Sequence, residues 1–525
     1  MAEWETHFAE TGQILSKMFP VDPEETNYVR RVKNVVFSRV YPQPFKTKVR
    51  LVAVSDSALR YVLNMHPNIS SDVNFVRFVA GGYLPSGSTP LAHRYGGHQF
   101  GEWAGQLGDG RAVMLGEFVN MLGERWEMQL KGSGRTPYSR RGDGRAVLRS
   151  SVREFLCSEA LYHLGVPTSR AAALVVSDDP VMRDQFYDGN VLTERGAVVL
   201  RLAKSWFRIG SLEILSYNGE FKILRQLVDF VIHNYFPHIS STNPNKYVEF
   251  FREVVLQTTK LLALWQSLGF AHGVCNTDNF SLLSITIDFG PFGFLDSYNP
   301  GFVPNASDDD GRYSFEKQPD VGHFNMEKLR QALLPLLNKA QEALSQTVLD
   351  NYAEEYKKQF MCLYGEKLGL NLSVVEDHEN FVAVLLKMME DTQADFTMTF
   401  RQLGEISLAE MKIGDVNEEV WALRTLSKHK WFPAWTRMYG QLLSAQGISD
   451  LDRMASMLNV NPRYVLRNWI AQNAIAKAKV NDFSYVYKVL QILEKPFTEQ
   501  PEAEELGFSG PPPYWASSLK VSCSS

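Results

Sequence analysis

The stretch from His272 to Gly290, HGVCNTDNFSLLSITIDFG, carries oxygen-bearing side chains at a spacing that could do chemistry. Asp278 and Asn279 fall in a turn, an apolar run follows through Leu282, Leu283, Ile285 and Ile287, and Asp288 opens Asp288-Phe289-Gly290. Side-chain oxygens about ten residues apart, joined by a short strand, can converge on one divalent cation. Upstream, WEMQLK alternates, with Trp126, Met128 and Leu130 on one face and Glu127, Gln129 and Lys131 on the other. Glu154 follows on the next helical pattern, and a lysine steadied by a glutamate is a grip for phosphate oxygens. Between them Arg135, Arg140, Arg141, Arg145, Arg149 and Arg153 alternate with Gly132, Gly134, Gly142 and Gly144. A charge run is ordinarily a wet surface. Here the glycines let backbone approach a ligand and guanidiniums suit phosphate, which favours an anion near Asp143-Gly144. Arg201 and Arg208, at a strand end and the start of the next element, extend the basic set.

Order along the chain sharpens this. Kinase-like phosphotransferases hold Mg²⁺ with an Asn of the catalytic loop and the Asp of D-F-G. In an H-G-D-x-x-x-x-N loop the base stands two residues after His; that place is Val274, while Asn279 keeps the Asn place. A metal site without the usual base implies kinase architecture turned to other chemistry. The elements needed to position these groups can be read in the same order. Asp109-Gly110 marks a hairpin and Leu122-Gly123-Glu124 a second turn, giving three strands that end at Lys131. A helix over 144–163 follows, with a stripe of Leu148, Val152, Phe155 and Leu156 and a stop at Gly165 and Pro167. Runs 171–177 and 197–203 read as strands, and 223–235 and 247–268 as long amphipathic helices.

The expected fold class is α+β, a protein-kinase-like two-lobe core with an additional, largely helical C-terminal region. Its parts are a lead-in over 1–50, a nucleotide-binding lobe over 51–203, a lobe with the metal and catalytic loop over 204–330, helices over 331–500, and a flexible tail over 501–525. Helices are expected at 326–348, 351–366, 378–390, 417–426, 449–457 and 462–493.

Totals exclude several classes. A chain of 525 residues, 45% hydrophobic and 22% charged, is globular, and a net charge of −5 gives no basic field for nucleic acid. No run of eighteen apolar residues is present, so no membrane partner is expected. The acidic start MAEWETHFAETGQ has neither a secretory h-region nor the character of a mitochondrial presequence. There is no G-x-x-x-x-G-K-[ST] and no G-x-S-x-G, which removes Walker-type nucleotidases and serine hydrolases. The cysteines Cys157, Cys275, Cys362 and Cys523 form no zinc spacing. Cys157 reads as a core residue, Cys275 borders the metal loop, and Cys523, in the tail KVSCSS, is an incidental or a reactive thiol. His98 and His272 read as structural rather than metal-binding, Asn276 as a turn cap, and Asp296 as a cap after D-F-G.

The segments GHQFGEWAGQLGDGRA, QLKGSGRTPYSRRGDGRAVLRSSVREFLCSEALYHLGVPT, HGVCNTDNFSLLSITIDFGPFGFLD, NASDDDGRYSFEKQP and NPRYVLRNWIAQNAI resemble the selenoprotein O family, kinase-like protein adenylyltransferases. The likeness runs over roughly residues 30 to 495. It implies ATP bound in a flipped orientation, with transfer of AMP to Ser, Thr or Tyr hydroxyls of proteins and release of pyrophosphate. It implies Gly108, Gly110 and Arg111 in the nucleotide loop, with Lys131, Glu154, Asp143, Gly144, Arg201 and Arg208 binding phosphates or positioning the groups that do. Asp278 would be the general base, and Asn279 and Asp288 the ligands of Mg²⁺, with Mn²⁺ as the alternative. Cys523 stands where animal members can carry selenocysteine, which raises a thiol-linked partner. The likeness implies a mitochondrial protein, with the cytoplasm as the alternative. Two rivals stand beside adenylyl transfer: a phosphotransferase with an unorthodox base, and an inactive pseudokinase scaffold.

Overall fold

The computed structural model describes residues 13–413 and 416–522. Nine strands of these residues pair into one mixed sheet. Across it run Val21–Asp22, Phe37–Arg39, Leu91–His93, Ala112–Val119, Arg125–Lys131, Val191–Ala203, Arg170–Asp184 and Val49–Val54, with Ala146–Val147 beside Val191–Ala203. The registers matter for the site. Lys131 lies opposite Ala112 on one neighbour and Val199 on the other, and Gln129 lies opposite Arg201. Cross-strand partners at this spacing share a face and touch.

The helix Leu148–His163 lies against the long hairpin Arg170–Asp184 and Val191–Ala203. The helical pattern predicted a start at 144. Instead Ala146–Val147 pairs with Gly196–Ala197, and Gly144 takes φ +74°, a left-handed conformation that ends the preceding turn and cannot begin a helix. Gly144 is also fixed by space: a Cβ there would meet the Gly134 carbonyl at 2.2 Å.

The far side of that helix is covered by chain from much later in the sequence. Helices Asn468–Lys479 and Ser484–Leu493 pack on it, and one apolar core runs from Leu15 to Phe508. A second core lines the other face of the sheet, with Val113, Leu115, Leu130, Val198 and Leu200, and a third fills the helices between Met361 and Met457. Arg467 ties these parts together. It is fully buried and pairs with Asp395 at 2.7 Å and Asp296 at 2.8 Å. Asp296 is therefore a partner of a distant arginine, not a local cap.

Several boundaries differ from the sequence reading. The helix expected over 326–348 is two, Gln318–Leu333 and Lys339–Asp350, parted at Leu334–Leu336 where Pro335 interrupts the hydrogen-bond ladder. The one expected over 462–493 begins at Asn468 and breaks after Lys479, with Asn481 at φ +65°. Phe432–Gln446 is a helix with no counterpart in that reading. The tail expected to be loose from 501 onward contains the helix Pro501–Glu505 and buries Ala503 and Phe508. Its Val521 pairs with Asn305, and Ser522 Oγ donates to the Gln185 carbonyl. Cys523 lies outside the described residues. Among the described residues no helix is long and apolar enough to cross a membrane.

Candidate active site

Five charged side chains converge between the sheet and the turn that carries Asp288. Lys131 Nζ donates to Glu154 Oε2 at 2.5 Å and lies 3.6 Å from Asp288 Oδ1. Arg201 bridges the same two acids through one nitrogen, 2.7 Å from Glu154 Oε1 and 2.6 Å from Asp288 Oδ1. Its remaining donors go to Gln129 Oε1, the residue opposite it in the sheet. Arg208 reaches Asp288 Oδ2 at 2.6 Å and the Asp278 carbonyl at 2.7 Å. Asp288 is drawn into this cluster by its backbone, which sits at φ +60°. For a non-glycine residue that is a sparsely populated state, one that accumulates at functional sites.

Electrostatics follow from burial and these contacts. Burial alone would push the Asp288 pKa up, but Arg208, Arg201 and Lys131 outweigh it and hold the carboxyl well below its ordinary range. Lys131 is lowered from its usual value, burial and the neighbouring guanidiniums prevailing over Glu154 and Asp288. Arg111 is also lowered by burial, against the pull of Glu154 and Asp288. Arg111, Lys131, Arg201 and Arg208 thus gather around Glu154 and Asp288, with Asp109 and Asp278 within electrostatic reach of Arg208. Guanidiniums and an ammonium so placed suit phosphate oxygens.

Asp278 is different. It lies in the short 3₁₀ turn Thr277–Asn279 and is 7% exposed. Burial raises its pKa to about 7, with Arg208 opposing. Its Oδ2 accepts from Gln99 Nε2 at 3.3 Å, while its Oδ1 is buried and accepts from no other described residue. A buried carboxylate oxygen left without a donor is costly, and it is the atom a ligand's proton would satisfy. Asn279 Nδ2 lies 3.3 Å from Asp288 Oδ2, so amide and carboxylate share one spot. The short strand expected between them is instead a tight reversal in which Phe280 bridges Thr286, turning at Ser284 with φ +50°.

The other expected residues are placed as follows. Gly108 and Gly110 line the turn under Tyr138, where a Cβ at Gly108 would meet the ring at 2.5 Å. Asp109 between them is buried, accepts from the His93 amide at 3.0 Å and from Gln129 Nε2 at 3.3 Å, and titrates near 6 because of burial. Asp143 is not brought into the acid–base cluster; it pairs with Arg183 at 2.7 Å on the hairpin. The arginine run is largely committed elsewhere. Arg149 pairs with Glu194, Arg145 donates to the Gln43 carbonyl, and Arg153 donates to the Phe292 carbonyl and stacks on that ring. His272 Nε2 bonds the Ile287 carbonyl at 2.8 Å and His98 Nδ1 bonds Glu213 at 2.6 Å. Asn276 does not cap its own turn; its Oδ1 accepts from Tyr313 and from the Phe100 amide.

Sequence reasoning missed the strand pair His98–Gln99 and Glu102–Trp103, which lies against the Asp278 turn. The His98 amide donates to Thr277 Oγ1 at 2.7 Å, and Gly97 leaves so little room that a Cβ would stand 2.9 Å from Asp278 Oδ1. Two adjacent glycines before His98 were the available signal.

Comparison with known proteins shows the family. The family model described as protein adenylyltransferase SelO matches residues 24–494. A protein nucleotidyltransferase YdiU of Methylobacillus flagellatus is 41% identical over 508 residues, 96% of each chain. Its namesake in Burkholderia lata is 44% identical over 479 residues, 88% of this chain and 89% of its own. That of Flavobacterium johnsoniae is 41% identical over 524 residues. With most of its length matched both by the family model and by these relatives, the chain belongs to the SelO family of protein adenylyltransferases.

Proposed function

We propose that this chain transfers AMP from ATP to a hydroxyl of a protein, releasing pyrophosphate. The observation that carries the proposal is the convergence of Lys131, Arg201 and Arg208 on Glu154 and Asp288, beside the buried Asp278 Oδ1 that no other described residue donates to. In this reading Lys131, Arg201 and Arg208 hold the phosphates, and Glu154 keeps the lysine and Arg201 aimed. Asp278 Oδ1 accepts the proton as the acceptor oxygen bonds to the α-phosphorus and the bond from that phosphorus to the bridging oxygen breaks. A buried carboxylate oxygen with no donor from another described residue is free to take up that proton. The charge on departing pyrophosphate grows where the guanidiniums already stand, so no reorganisation is needed.

Asn279 and Asp288 fit a hard divalent ion by chemistry, an amide and a carboxylate side by side. These two side chains would be the ones to hold it. Mg²⁺, or Mn²⁺, would supply charge neutralisation for the triphosphate. The kinase-like two-lobe arrangement, with sheet and Glu154 helix above and Asp278 turn below, belongs to the same proposal. So do a mitochondrial location and a thiol-linked partner at Cys523, the latter tested by whether Cys523→Ser loses covalent capture of target proteins.

ATP labelled at the α- or the γ-phosphate tests the transfer. Label from the α-position on the acceptor supports it; label only from the γ-position makes the protein a phosphotransferase, and nucleotide binding without either makes it a scaffold.

A further inference from the structure

Three consecutive residues, His98, Gln99 and Phe100, meet the turn that carries Asp278 one for one. The His98 amide donates to Thr277 Oγ1 at 2.7 Å, Gln99 Nε2 to Asp278 Oδ2 at 3.3 Å, and the Phe100 amide to Asn276 Oδ1 at 3.1 Å. Phe100 makes its contact at φ +50°, a sparsely populated state for a non-glycine residue, and its amide is shared with Tyr313 Oη at 2.9 Å. The pair His98–Gln99 and Glu102–Trp103 stands apart from the main sheet, so these contacts and its own anchors fix its place.

The anchors come from the helix Ile209–Tyr217. Glu213 on that helix holds His98 Nδ1 at 2.6 Å, with both side chains buried. On its first turn the Gly210 carbonyl accepts from the Gly96 amide at 2.9 Å, and a Cβ on Gly210 would meet the Gly96 carbonyl at 2.1 Å. The Ile209 amide donates to the Phe280 carbonyl at 2.9 Å, and Arg208, just before the helix, holds the Asp278 carbonyl. Helix, strand and catalytic turn are therefore tied together on three sides, and Gln99 is the point at which that scaffold reaches the reacting carboxyl itself.

Which oxygen it reaches matters. A carboxylate accepts through both oxygens, and a donor fixed on one of them limits its rotation. Gln99 takes Oδ2, while the buried Oδ1 accepts from no other described residue. We propose that Gln99 is a positioning residue for the transfer: its side-chain amide, set in place by the His98–Glu213 anchor, holds Asp278 Oδ2 and so turns Oδ1 toward the acceptor hydroxyl. The proposal rests on the reading of Asp278 as the accepting base. Gln99 itself takes no proton and touches no reacting atom.

The test uses the full chain with Mg-ATP, and α-phosphate label is followed on casein and on the chain itself. Gln99→Met keeps the length of the side chain and removes the donor; Gln99→Glu sets a like charge beside Asp278. Gln99 is only partly buried, so both variants should fold. Gln99→Met should lower kcat about tenfold while KM for ATP and Tm stay as they are, and Gln99→Glu should lower kcat further. A merely structural role would instead lower Tm and raise KM together, and that result overturns the proposal. So does a Gln99→Met variant whose kcat stays within about twofold of the unaltered protein. Asp278→Asn, assayed alongside, separates the two readings. If it is inactive while Gln99→Met is normal, only the positioning role falls; if it turns over normally, the base assignment falls and takes this proposal with it.

Discussion

Glu154 is the acid on which the phosphate grip depends, and replacing it by Gln tests the whole cluster. Its side chain is 3% exposed and accepts from Lys131 at 2.5 Å and from Arg201 at 2.7 Å. At an effective dielectric of about 20, a pair 2.5 Å apart has a raw attraction of about 7 kcal/mol, most of which desolvation takes back. Removing one partner of such a pair costs about 3–5 kcal/mol, because the other charge stays buried and uncompensated. Over 525 residues, an unfolding entropy of about 2.1 cal/mol/K per residue turns about 3 kcal/mol into a Tm drop of about 3 °C. Lys131→Met should cost a comparable amount alone. Because each variant breaks the same contact, Lys131→Met/Glu154→Gln should lose little more than either one, a coupling of about 2 kcal/mol or more. Urea unfolding of the four proteins measures this, with α-label transfer in parallel. A double variant whose loss equals the sum of the singles would show that the two residues do not act as a pair, and the positioning role given to Glu154 would fail.

Other outcomes follow from the same geometry. Asp288→Ala should abolish ATP-dependent labelling; near-normal turnover in that variant would remove Asp288 from the metal assignment. Gly97→Ala should push against Asp278 Oδ1 and lower kcat by about tenfold or more while ATP affinity, read by titration calorimetry, stays the same. Lys367 is 4% exposed, donates to Asn461 Oδ1 at 2.9 Å, and is lowered by burial from 10.5 to about 7. Between those values the unfolded chain binds the proton and the folded one does not, so this residue makes stability rise with pH from about 7 toward about 10.5. Urea midpoints at pH 7, 8 and 9 should climb less steeply in Lys367→Met, and an unchanged slope would contradict the burial argument.

What could be read in advance was what is local. Asp278, Asn279 and Asp288 are close in sequence, so their meeting needs only one reversal, although that reversal is a turn at Ser284 and not a strand. Lys131 and Glu154 could be paired because a strand face and a helix stripe each announce themselves by periodicity. Gln129 could not be seen as the partner of Arg201, since that contact depends on the register of two strands far apart in sequence. The partner of Asp143 could not be seen for the same reason: Arg183 comes from the projecting hairpin and not from the arginines beside it. Pro335 was a plain helix-breaking signal within 326–348, overridden there by the apolar repeat on both sides.

The packing of Asn468–Lys479 and Ser484–Leu493 on the Glu154 helix has a consequence for biosynthesis. The helix that aims the lysine is made early, but its apolar back is closed only by residues translated some three hundred positions later. Until those emerge from the ribosome, a growing polypeptide displays a greasy helix that a chaperone could hold, and it has no finished nucleotide pocket. A chain stopped before Asn468 therefore leaves that apolar back uncovered, and the helix that carries Glu154 loses the support on which its aim depends.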